Sequence, residues 1–98
     1  MDQVLVSDFK EKCKVIYNFY RVQMLKHTPY LQGKATVTRK DFITFFKYLE
    51  KSVSDMDKLA DPLIVGNPEM QDSLNAIIYS YVTKYNAISK MLRKRFKK

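Results

Sequence analysis

The sequence predicts an all-α fold, a small three-helix bundle whose third helix ends in a projecting basic arm. Two Gly and three Pro in 98 residues leave too little punctuation for many short strands and turns. Three segments repeat apolar residues at helical spacing, and each is bounded by a start or stop signal. The 46% apolar content, with six Phe and seven Tyr, supplies the core of one domain over residues 1–98. Its radius of gyration would be about 13 Å if compact.

The first helix is expected over 8–27. Asp8 with Glu11 three residues on has the spacing of a capping box, an aspartate replacing Ser or Thr. Phe9, Cys13, Ile16, Tyr20 and Met24 then share one narrow stripe, and Val15, Phe19 and Val22 widen the apolar face. Thr28-Pro29 stops the pattern, because proline disfavours α geometry in the residue before it. A loop follows over residues 28–37.

The second helix is expected over 39–60, capped by Thr38 with Asp41 in its first turn. Phe42, Phe46, Leu49, Val53, Met56 and Ala60 form its seam, and Asp61-Pro62 is expected to end it. Gly66-Asn67-Pro68 restarts the chain, with Asn67 as a cap and Pro68 at the first helical position. The third helix, over 68–95, carries Leu74, Ile77, Tyr81, Tyr85 and Ile88 towards the core. At 1.5 Å per residue the three helices would span roughly 28, 33 and 43 Å. About 10 Å of the third should therefore overhang.

That overhang coincides with the densest charge in the chain. Residues 90–98 hold six basic side chains, Lys90, Arg93, Lys94, Arg95, Lys97 and Lys98, and no acid. One or two cations suffice to complement a helix C-terminus. Six within nine residues repel one another unless an anion relieves them, so the arm 90–98 reads as a polyanion-binding element. On the second helix Lys40, Lys47 and Lys51 lie opposite the apolar seam, with Arg39 and Lys34 near its start. Lysines on an outer helix face are ordinarily there for solvation.

Nucleic acid is the commonest partner of a small basic helical protein, and such a surface grips the phosphate backbone without strong sequence specificity. The start of the second helix could add a phosphate site, although an ordinary capped helix start explains the same residues. The alternative function is a helical structural or adaptor protein that assembles through Val15, Phe19 and Val22, as a homodimer or with another protein. Peripheral membrane binding through Met91, Leu92 and Phe96 is a third, weaker reading. The excess of Phe, Tyr, Met, Ile, Asn and Lys over Gly, Ala, Arg and Pro points to an AT-rich genome, as many phages and viruses have.

Enzymatic signatures are absent. Gly33-Lys34 with Thr36 lacks the first glycine of a phosphate loop, since Thr28 stands there. His27 is the only histidine, and Cys13 lies mid-stripe as a buried thiol. Asp57 and Asp61 read as a solvated helix end, so neither a metal nor another cofactor is expected. The chain reads as cytoplasmic, or as intracellular in a host cell, because it has one cysteine and neither a signal-peptide pattern nor a membrane-length apolar run.

Overall fold

The computed structural model describes residues 2–27 and 37–95, with side chains for 3–27 and 37–94. Three helices, α1 (Asp2–His27), α2 (Arg39–Gly66) and α3 (Gln71–Arg95), pack on one another, and a 3-10 turn over Pro68–Met70 joins the last two. No β-strand forms among the described residues. The 28–36 part of the expected loop lies outside the described residues, as do Lys34 within it, Phe96, Lys97 and Lys98, and the Arg95 side chain.

α1 begins six residues before its expected start. Asp8 is therefore an interior helical residue, and its carboxylate pairs with Lys12 at 2.9 Å instead of capping. The added turn is anchored by Val6, which packs against the core.

α2 begins as expected. The Thr38 hydroxyl accepts the Asp41 N–H at 3.2 Å, and the Thr38 N–H donates to the Asp41 carboxylate at 2.8 Å, closing a reciprocal capping box. Val37, just outside the cap, is fully buried and fixes the angle of entry. At its other end α2 does not stop at Asp61-Pro62 but runs to Gly66 with Pro62 inside. Pro62 is exposed, so water can solvate the carbonyl that its missing N–H leaves free, while Leu63 and Ile64 pack against the core beyond it. Asn67 closes α2 and also stands before the 3-10 turn, where its carbonyl accepts the Met70 N–H at 2.9 Å while its side chain caps no amide of that turn. Its backbone N–H donates to the Leu63 and Ile64 carbonyls, and its side-chain amide donates to Leu63 at 3.2 Å. Pro68 occupies the first position of the 3-10 turn, as its fixed φ favours.

The buried line of α2 is rotated from the expected seam. Phe45, Ser52, Met56 and Ala60 are buried, whereas Phe42, Phe46, Leu49 and Val53 are half-buried at the edge of the core. A serine in the central position disguises that line. Its hydroxyl is satisfied at 2.6 Å by the hydroxyl of Tyr85, itself fully buried on α3. Ile16, Tyr20, Ile77, Tyr81 and Ile88 are likewise half-buried, whereas Phe9, Cys13, Met24, Leu74 and Tyr85 lie deep.

Cross-helix contacts fix the topology. Tyr17 lies 5.0 Å, ring to ring, from both Tyr81 and Tyr85, and the Tyr20 hydroxyl donates to Asp55 at 2.7 Å. Leu5 and Phe9 face Leu59 and Leu63 across a shared cleft, and Val6 and Lys10 line another with Ser73. α2 thus runs antiparallel to both neighbours. The helices measure about 39, 42 and 38 Å, close to one another. The length difference behind the expected overhang is absent, and α3 stays seated on the bundle through Leu92, which is fully buried. The molecule is a rod of 49 × 19 × 16 Å whose radius of gyration, 15.4 Å, exceeds that of a compact sphere.

Candidate functional site: the basic end of the bundle

Up-down-up topology brings the C-termini of α1 and α3 and the N-terminus of α2 to one end of the rod. That half, residues 15–27, 39–52 and 84–94, holds ten Lys or Arg and two acids, a net charge of +8. The opposite half, residues 3–14 and 53–83, holds four basic and seven acidic side chains, a net charge of −3. The charge of this protein is polar along its long axis.

Both acids of the basic half leave the cationic field standing. Asp41 is buried in the capping box, so its carboxylate is held by the start of α2. Glu50 lies on the outer face of α2. Arg21, Arg39, Lys40, Lys47, Lys90, Arg93 and Lys94 are exposed, and none of them forms an ion pair among the described residues. Two cations of this half rest on tyrosines. The Lys84 ammonium sits 4.9 Å from the Tyr81 ring and 5.4 Å from the Tyr17 ring, and Lys51 sits 6.0 Å from Tyr48. Phosphate binding at those two positions would compete with an aromatic face.

The expected cationic residues therefore divide. Lys90, Arg93, Lys94, Arg39 and Lys40 gather at one end of the rod. Lys47 lies one to two turns further along, and Lys51 is engaged with Tyr48 near the middle. Arg21 and Lys26, near the end of α1, belong to the same end; the sequence shows Arg21 only in an outer line with Lys10 and Lys14, and the topology brings it and Lys26 to the other cations. The phosphate site considered at the start of α2 gains nothing from the geometry. Thr38 and Asp41 satisfy each other across that terminus, and the Asp41 carboxylate opposes an incoming anion.

Beside the basic end lies an open groove of about 750 Å³ on α2, lined by Phe42, Ile43 and Phe46 with Arg39, Lys47 and Glu50 at its margins. The Phe42 and Phe46 rings are nearly parallel, 6.2 Å apart. Val15, Phe19 and Val22 are exposed. The apolar face considered for membranes is not available as drawn, because Leu92 is spent in the core. Among the described residues no helix is long and apolar enough to cross a membrane, and no cluster of His, Cys, Asp and Glu could hold a metal ion.

The interior holds two groups of altered acidity. Burial pushes the Cys13 thiol up to about 11 and the Tyr85 hydroxyl up to about 12. Both are therefore neutral at physiological pH. Tyr20 is also raised, first by its hydrogen bond to Asp55.

No protein-family model matches the chain, and no curated protein or solved structure shows significant similarity to it.

Proposed function

We propose that this protein binds nucleic acid through the basic end of the bundle, gripping phosphates without strong sequence preference. The observation that carries this reading is the charge polarity, +8 in one half of the rod against −3 in the other. Helix termini account for part of that segregation. Cations favour the C-terminal ends of α1 and α3, and acids favour their N-terminal ends. That effect fades within one turn, whereas Arg21, Lys47 and Lys84 lie further in. The cations of such an end replace the counterions condensed on a polyanion, which are released into solution.

The test is an anisotropy titration against single- and double-stranded DNA and RNA at several salt concentrations. If four or five cations engage phosphates, the log–log slope for duplex DNA should be about −4, and affinity should fall ~10²-fold or more between 50 and 200 mM salt. Unrelated sequences should bind alike. Absence of binding at the lowest salt would end this reading. Deleting residues 90–98 is a poor probe, because it removes the buried Leu92 along with the cations. Charge reversal at the exposed positions keeps the core intact.

A further inference from the structure

The outer face of α1 carries apolar side chains that the bundle leaves bare. Val15, Phe19 and Val22 are 67, 56 and 48% exposed. At 100° per residue they fall within about 60° of one another, nearly opposite the buried line Phe9, Cys13, Tyr17 and Met24. Scattered single exposures need no explanation, but three aligned over two turns form a stripe.

We infer that this face binds a second copy of the same chain, with the two α1 helices antiparallel about a two-fold axis near residues 18 and 19. The first support is that the face complements itself when reversed. Glu11 lies four residues before Val15, and Lys26 lies four residues after Val22. Reversing one helix sets each Val15 against the partner's Val22, brings both Phe19 rings near the axis, and places each Glu11 beside the partner's Lys26. The second support is the polarity of the whole rod. Parallel pairing would lay the +8 halves against each other along their full length, whereas antiparallel pairing about this axis limits that overlap to residues 15–22 of α1 and sets residues 23–27 of each copy against residues 10–14 of its partner. The electrostatics thus select the arrangement that the apolar stripe permits.

A two-fold contact of this kind closes on itself as a dimer and does not propagate. The stripe from Glu11 to Lys26 covers about 22 Å of helix. The interface is therefore small, under about 1,200 Å² in total, and the dimer dissociates on dilution. It also sets the C-termini of the two α1 helices about 25 Å apart, one on each side of the axis, so a nucleic-acid-binding dimer would be bivalent. The dimer itself does not depend on that reading.

Sedimentation velocity of the full chain without nucleic acid, over a concentration series into the high micromolar range, tests it. A monomer–dimer equilibrium is expected, and Phe19→Glu should weaken it at least about tenfold, a change of 1.4 kcal/mol. The helical circular dichroism of that variant should be unchanged, since residue 19 stands outside the core. Glu11→Lys should weaken the dimer, and adding Lys26→Glu should restore it. A chain that is monomeric at every concentration overturns the inference, as does a dimer that Phe19→Glu leaves intact. A charge swap that weakens the dimer further overturns the antiparallel arrangement.

Discussion

The Ser52–Tyr85 hydroxyl pair is the most exacting test of the core, because both residues are fully buried and 2.6 Å apart. Removing one hydroxyl strands the other without water, a penalty of about 1–3 kcal/mol. The two single changes should differ. In Tyr85→Phe the Ser52 hydroxyl can turn to the carbonyl one helical turn back, so the loss should be about 1 kcal/mol. In Ser52→Ala the phenol has no such local acceptor, and the loss should approach about 2–3 kcal/mol. The double change strands nothing and should be less damaging than the sum of the singles by about 1 kcal/mol or more. Thermal unfolding followed by circular dichroism can resolve this, since 1 kcal/mol shifts the midpoint of a domain this size by roughly 4–8 °C. Strict additivity of the two changes, or an unaltered midpoint in Ser52→Ala, would refute the pairing.

Two further outcomes follow from burial. Phe45→Ala should cost about 3–5 kcal/mol and Phe46→Ala roughly half that, read from denaturant midpoints; the reverse order would mean that α2 is rotated differently. Stability should also fall in alkali. Cys13 and Tyr85 have folded-state pKa values of about 11 and 12 against ordinary values of 9.0 and 10.0, so the folded state holds their protons more tightly than the unfolded chain. Their contribution is complete below pH 9 and is lost as pH rises through 9–12. Cys13→Ala should flatten the decline between pH 9 and 11, and an identical profile in the variant would contradict the assignment.

Periodicity made the three helices and their order legible, because an apolar arc and a cap are local properties of sequence. Thr38 and Asp41 announced the start of α2, and their reciprocal hydrogen bonds are present. Pro62 misled, since a proline on the solvent side of a packed helix removes one hydrogen bond without ending the helix. Asp8 misled in the opposite sense, because an aspartate and a glutamate three residues on can sit inside a helix. Ser52 concealed the centre of α2, because a serine paired with a tyrosine from another helix looks polar until the partner is known. The cations of α3 were visible as a run, but Arg21 and Lys26 join them only through the up-down-up topology. The acidic character of the far end is equally a property of the assembled bundle.

Under the proposed function, position, and not net charge alone, makes one end of the rod a polyanion-binding surface. Two triple charge reversals compare the ends directly. Lys90→Glu/Arg93→Glu/Lys94→Glu alters the basic end, whereas Lys10→Glu/Lys14→Glu/Lys58→Glu alters the acidic half, and each lowers the net charge by six. All six side chains are exposed, so neither set should disturb the fold. Duplex-DNA anisotropy across salt should show the first set losing ~10²-fold or more at low salt, with the log–log slope flattened by about 3. The second set should change affinity only a few-fold and leave the slope in place. Equal losses in the two variants would contradict the account.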